Sequence, residues 1–375
     1  MASTAPSTAG SGPSSSSAAP RAGGIPGWRA VLNRGLALRE GSIIVVAIVV
    51  AIYFSANTST FFTGENFKTL LPYFAPLAIL GAGEVFVMIL GEIDLSIGAM
   101  YMFAPIVFYK LDVSVGLGLV PSMILALVVC MVVGAVNGAF VAIVGVSSFV
   151  TTLGMLFTFE GLSLVISNGT PVKTPGAEIT QTTVQTHHVV NGHNITLPEK
   201  INHIGTFAKI FGAGVYSELI WAVVIVIVLQ VVLTFTRWGL YTVAIGSNKI
   251  GAAEAGVKVK LVMIRNFVLC SLTAGLVGLF EAIRSQTIQP DPSGPNELLL
   301  IAIAGAVIGG TLLSGGSGTV VGAFIGALFL GMLKDGLILQ GVSANYLLLY
   351  LGLAIVVAMT ANVFVGKARR GHSSG

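Results

Sequence analysis

Charge is scarce in this chain. Asp, Glu, Lys and Arg make up 9% of its 375 residues, where a soluble globular domain carries about 25%. That shortage excludes an ordinary water-soluble domain, and the 54% hydrophobic content points to repeated crossing of a bilayer. Cysteine is equally rare. Cys130 and Cys270 both lie inside apolar runs, which supports neither a disulfide framework nor a metal site. Four of the five histidines, His187, His188, His193 and His203, fall in one polar stretch, and their spacing fits no common zinc pattern. Lysine is missing from the run Gly310 to Ser317. Its glycines are spaced like a phosphate-binding loop, but Gly316 stands where that loop needs its lysine. No ATP site is therefore expected in the chain itself. The net charge is +4, yet no basic cluster is interleaved with aromatics, which argues against nucleic acid as a partner.

What the chain does have is a series of long apolar runs with short polar breaks. A span needs about 20 apolar residues. Candidates fall near 42–56, 70–90, 95–109, 120–144, 149–166, 219–235, 262–282, 298–313, 320–339 and 346–365. The expected fold is all-α, a polytopic membrane protein of about ten transmembrane helices, with a permease-type membrane domain at 41–366. Residues 1–40 open with Ser, Ala, Gly and Pro and read as a disordered cytoplasmic tail, and residues 367–375 read as a second cytoplasmic tail. Ten crossings place both termini on one side. Arg29, Arg34 and Arg39, the island from Arg237 to Asn266, and Lys367, Arg369 and Arg370 all fall on that side, which the positive-inside rule makes cytoplasmic. The polar insert at about 168–216 then lies outside, as a solvated hairpin or loop.

Three polar features invite a functional reading. Glu84 sits inside the second apolar run, where a carboxylate is costly and must face the bundle interior or meet a cation. Gly91-Glu92-Ile93-Asp94-Leu95-Ser96-Ile97-Gly98 interrupts the apolar pattern most strongly, and its glycines permit a broken or re-entrant element lining a cavity. Asp94 has the place of a helix cap. The basic island holds a small-residue helix, Gly251 to Gly256, suited to close approach by another protein's groove. Further along, Gly322 and Gly326 form a G-x-x-x-G pair that lets helices approach closely in lipid.

Four segments, taken together and in order, carry a resemblance. GEIDLSIG at 91–98, AIGSNKIGAAEAGVKV at 244–259, IGGTLLSGGSGTVVGAFIGAL at 308–328 and DGLILQGVSANY at 335–346 resemble the membrane-spanning permease subunit of ribose/xylose-type ABC sugar importers. The likeness spans about residues 68–366. Two positions depart from it: Glu92 stands where the family usually has Gly, and Ala253 where it often has Arg. The resemblance implies a type II-like importer permease in the cytoplasmic (inner) membrane, with no catalytic residues and no metal or cofactor of its own. ATP and Mg would be bound by a double-cassette ATPase partner. A second permease copy (identical or a close paralogue) and an extracytoplasmic sugar-binding protein would complete the assembly. Gly246, Asn248, Gly251, Ala252 and Gly256 match the loop that contacts the ATPase. Glu84, Asp94, Ser96, Asn137 and Asn345 are the candidates for lining the translocation pathway. Alternatives remain open: a branched-chain amino-acid or nucleoside ABC permease, or an ion-coupled secondary transporter working through Glu84 and Asp94. A membrane enzyme would need convergent His, Asp or Glu groups, and the histidines cluster in the insert.

Overall fold

The computed structural model describes residues 41–190 and 193–372, with only the backbone described for residue 42, residues 179–203 and residues 361–372. The expected N-terminal tail, the side chains of the four clustered histidines and those of the C-terminal basic cluster lie outside the described residues.

Every apolar run is helical. In chain order they form α1 (Gly41–Asn57), α2 (Gly64–Ile89), α3 (Ile97–Tyr109), α4 (Leu119–Ala139) and α5 (Ser148–Ser167). After the polar insert come α6 (Ser217–Phe235), α7 (Arg237–Ser247), α8 (Lys249–Glu254), α9 (Val259–Ser285), α10 (Ser293–Ile308), α11 (Val320–Leu339) and α12 (Ala344–His372). Helices α3 and α4 each continue into a five-residue π turn. Six helices (α2, α4 with its π turn, α5, α6, α9 and α11) are long and apolar enough to cross a membrane, and α1, α10 and the described part of α12 are shorter apolar helices. The chain is a multi-pass membrane protein. The polar insert supplies the long antiparallel hairpin, β2 (Ile179–Val190) with β3 (His193–Ile204). A two-residue strand before it, β1 (Val172–Lys173), pairs with β4 (Thr287–Ile288), just beyond α9.

Helix α2 is the axis of the bundle. Its most apolar stretch is 89% buried, against 33% for α4, 22% for α5 and 28% for α6, which turn most of their surface outward. Side chains fix the helix starts: Thr63 Oγ1 accepts from the amide of Asn66 at the start of α2. Gln230 Oε1, on α6, accepts from the first two amides of α11, at 2.9 and 3.1 Å.

One of the close crossings joins α10 to α11. A Cβ on Gly326 would collide with the carbonyl of Gly305, and one on Gly309 with that of Gly322, so two glycines from each helix interlock. The expected G-x-x-x-G pair thus meets a second small-residue pair four residues apart. Loops gather at two ends of the bundle. At one end Gly316 N donates to Ile89 O at 2.7 Å and Ile93 N to Ser148 Oγ at 3.3 Å. This break end collects the loops at 90–96, 145–147, 236–258 and 309–319. The hairpin end carries β1 and β4, and there Thr174 Oγ1 donates to Ala282 O at 2.7 Å.

Candidate functional site: a broken span beneath a charged vestibule

The first part of the site is the interruption between α2 and α3. A chain break inside a membrane must find partners for its amides, since each unpaired one costs several kcal/mol there (about 2–7). Here the four consecutive amides of residues 93–96 find side chains. Ile93 N donates to Ser148 Oγ and Leu95 N to Thr152 Oγ1, both hydroxyls on α5. Asp94 N donates to Glu84 Oε1 at 3.0 Å, and Ser96 N to Asp94 Oδ1 at 2.9 Å. Glu92 N reaches back to Val87 O at 3.3 Å. Gly91, at φ +79°, makes the reversal that a side-chained residue resists. The loop therefore dips back into the bundle until Asp94 lies level with Glu84, more than a turn before the end of α2.

Glu84 and Asp94 are both fully buried. Glu84 takes its second oxygen to Cys270 Sγ on α9, 3.0 Å away. Asp94 Oδ1 also accepts from Ser96 Oγ at 2.6 Å, and Ser96 Oγ accepts from Asn137 Nδ2 of α4 at 2.7 Å. The structure thus brings Glu84, Asp94, Ser96 and Asn137 into one network across α2, α3, α4 and α9. Asp94 does cap, but the amide it takes is that of Ser96, one residue before α3 begins. Asn345 is not part of this network. It sits exposed at the start of α12, at the hairpin end.

The basic island lies directly beneath. Helix α7 packs so closely on the break that a Cβ on Gly246 would overlap Ile89 O and lie 2.6 Å from Gly316 N. Asn266 on α9 locks the same corner. Its Nδ2 donates to Phe86 O at 2.8 Å, and its Oδ1 accepts from Trp238 Nε1 at 2.6 Å. Helix α8 then projects from the bundle. Asn248 Oδ1 caps it by accepting from Gly251 N at 2.9 Å. Gly256, at φ +82°, ends it, with Gly256 N bonded to Ala253 O and Val257 N to Ala252 O. The five expected contact residues divide accordingly. Gly246 and Ala252 turn inward onto the chain's own fold, and Ala252 is 6% exposed. Asn248, Gly251 and Gly256 shape the helix ends, while Ile250, 73% exposed, is the large apolar side chain α8 offers outward. Lys249 reaches Glu92 at 4.0 Å, so the residue that departs from the family pattern ties α8 to the break.

Above the break lies a vestibule of three adjoining cavities, of about 660, 330 and 190 Å³, sharing Leu298 of α10. The walls come from α2 (Pro72, Tyr73, Pro76), α3 (Tyr101, Pro105), α9 (Glu281, Arg284) and α11 (Leu330, Lys334). Prolines on these walls deprive the carbonyls of Lys68, Pro72 and Tyr101 of their helical amide partners. Arg284 Nε donates to Glu281 Oε2 at 3.0 Å, Arg284 Nη2 engages the other oxygen of Glu281, and Glu218 of α6 stands 3.4 Å from Nε. Lys68 pairs with Glu65 at 2.8 Å and Lys334 with Glu297 at 3.8 Å. At the mouth, the amide and hydroxyl of Ser293 hold the Asp291 carboxyl below the usual carboxylate range.

Sequence reasoning missed the Glu218–Glu281–Arg284 cluster and Tyr101. The available signal was an Arg three residues after a Glu at the end of an apolar run. Glu218 is brought in only by folding. No group of three His, Cys, Asp or Glu side chains able to hold a metal occurs among the described residues.

Comparison with known proteins agrees with this architecture. A family profile described as branched-chain amino acid transport system / permease component matches residues 66–359. The chain is 32% identical over 335 residues to the xylose/arabinose import permease of Sulfolobus acidocaldarius, covering 88% of this chain and 86% of the relative. It is 30% identical over 331 residues to the ribose import permease of Escherichia coli, covering 88% and 95%. It is 28% identical over 332 residues to the D-allose transport system permease of the same organism, covering 88% and 93%. No solved structure matches it. Such subunits are transport components that carry no ATPase site of their own. The chain therefore belongs to the permease-component family of the branched-chain amino acid transport type, alongside the xylose, ribose and allose import permeases it resembles.

Proposed function

We propose that the chain is the permease subunit of an ATP-driven importer that carries a monosaccharide across the cytoplasmic membrane by alternating access. The observation that carries the reading is the continuity from α8 to the vestibule. Lys249 and Gly246 touch Glu92 and Ile89, the break between them hangs on Glu84 and Asp94, and α3 carries Tyr101 up into the vestibule wall. A push on the exposed helix α8 is thereby delivered to a joint whose partners are rotatable side chains. The sugar assignment is supported by the three relatives, each named for a sugar.

In this reading the break end is cytoplasmic, as are both termini. A double-cassette ATPase binds ATP and Mg and docks on α8 through Ile250 and its small neighbours. A second permease copy completes the pathway, and an external binding protein delivers sugar at the hairpin end. The permease contributes no covalent chemistry.

Reconstitution tests the energy source. Without a cassette partner the chain should move no sugar under a proton or sodium gradient. With cassettes and binding protein, uptake should require ATP and persist when gradients are collapsed. Gradient-driven accumulation by the chain alone, lost on neutralising Glu84 or Asp94, would establish an ion-coupled transporter instead. The family description names branched-chain amino acids; leucine uptake by the assembled complex, with no sugar uptake, would favour that second substrate class.

A further inference from the structure

We propose that Tyr101, Glu281 and Arg284 form a holding station for one neutral monosaccharide in the vestibule. The proposal rests on the sugar-importer reading above and deepens it by assigning residues and a charge requirement.

Size and access agree with a single small ligand, because the two larger cavities fall within the usual range for small-molecule pockets, about 300–1,000 Å³, and the third below it. The charge pattern is more selective. Every lysine and arginine lining the vestibule already has a carboxylate partner: Lys68 with Glu65, Arg284 with Glu281 and Glu218, Lys334 with Glu297. A ligand carrying a carboxylate or phosphate would bring its negative charge against the carboxylates already paired with these cations. A ligand with hydroxyl groups brings no charge. Hydroxyls both donate and accept, so they can add to an existing ion pair, donating hydrogen bonds to Glu281 and accepting them from the Arg284 N–H groups left free by Glu281. Of that guanidinium's five N–H groups, one on Nε and one on Nη2 face Glu281.

Tyr101 supplies a phenol hydroxyl and a ring. It is shared by the two larger cavities, as is Glu281, and Arg284 lines the largest. Placement is enforced by packing. A Cβ on Gly278 would collide with the Tyr101 carbonyl, so α9 and α3 are pressed together about one helical turn from Glu281 and under two turns from Arg284. Tyr101 also lies four residues beyond Ile97, about 6 Å along α3 from the break. A shift of the joint would therefore move one wall of the station relative to Glu281 and Arg284, which sit on α9.

Both native cysteines are fully buried, so a single introduced thiol reports cleanly. Gln289, exposed at the mouth of the same cavity, is a suitable position. The Gln289→Cys chain would be assembled with cassettes and binding protein in vesicles, and its labelling by a membrane-impermeant maleimide timed with D-ribose, D-xylose, D-allose or leucine present. At least one sugar should slow labelling and leucine should not. The sugar concentration giving half protection should rise about tenfold in Tyr101→Phe and in Glu281→Gln, the effect of losing one hydrogen-bond partner. Tyr101→Phe removes a single oxygen and guards against misfolding as the cause.

Sugar import by the complex without any sugar protection would overturn the station while leaving the importer reading standing. Protection unchanged in both substituted proteins would overturn the residue assignment. Leucine import and leucine protection, with neither for sugars, would overturn both, and a thiol at 289 that the external reagent never reaches would overturn the station alone.

Discussion

Substituting Gly246 by Ala is the sharpest test of how the break is held. The added methyl would sit 2.6 Å from Gly316 N and overlap Ile89 O, where ordinary contact begins at 3.4 Å. Both obstacles are backbone, so neither can rotate away. The backbone must part by well over about 1 Å at Ile89 O, and the 2.7 Å bond from Gly316 N to Ile89 O is then lost. Overpacking of this kind costs about 1–3 kcal/mol and the hydrogen bond contributes about 1 more, for a total of about 2–4 kcal/mol. Gly256→Ala is the control within the same basic island. Nothing lies within 4 Å of its added methyl, and its cost is the left-handed backbone alone, about 1–2 kcal/mol. At about 2 °C per kcal/mol, thermal unfolding of the purified chain should fall by about 4–8 °C for Gly246→Ala and about 2–4 °C for Gly256→Ala. ATP-driven uptake should drop in the first and persist in the second. A Gly246→Ala protein that melts with wild type and imports normally would refute the packing argument.

Other outcomes follow from the same geometry. Glu84→Ala leaves the Asp94 amide and the Cys270 thiol without an acceptor and should lower the yield of folded protein and abolish uptake, whereas Glu84→Gln keeps an oxygen for the amide and should retain most of the yield; equal yields of the two would show that the acceptor is dispensable. Asn266→Ala strands Trp238 Nε1 and Phe86 O and should cost about 2–4 kcal/mol, read as a lower melting temperature with altered tryptophan emission. Lys249→Ala breaks only an exposed 4.0 Å pair and should change melting by less than about 1 kcal/mol; a larger effect would mean that Lys249 carries more than this pair.

The helices were readable because burial in lipid demands long apolar windows, and the runs at 70–90, 262–282 and 320–339 met that demand in full. Glu84 and Asp94 stood out for the same reason reversed, as carboxylates where solvation is costly. Orientation was not readable. Gly246 and Ala252 have the small side chains that suit docking on a partner, but smallness serves internal packing equally well, and the fold turns both inward. The vestibule escaped for a different reason. Glu218 and Arg284 are separated by most of two spans, and each alone looks like a charge at the end of an apolar run. Asn345 drew notice as a polar residue near a span, and only the fold reveals that it sits at the far end from Asp94.

The glycine interlock between α10 and α11 bears on which parts can move. With Gly305 and Gly309 pressed into Gly322 and Gly326, sliding or twisting one helix against the other would drive backbone into backbone. The two behave as a single stiff jaw, carrying Leu298, Glu297, Leu330 and Lys334 on its face. Helix α2 is itself pressed onto this jaw, since a Cβ on Gly331 would lie 2.6 Å from Phe74 Cβ, which leaves α3, hinged on side chains at its foot, as the opposing wall. Widening and narrowing of the chamber therefore falls to that pliant side, with the α10–α11 jaw as the anvil against which it closes.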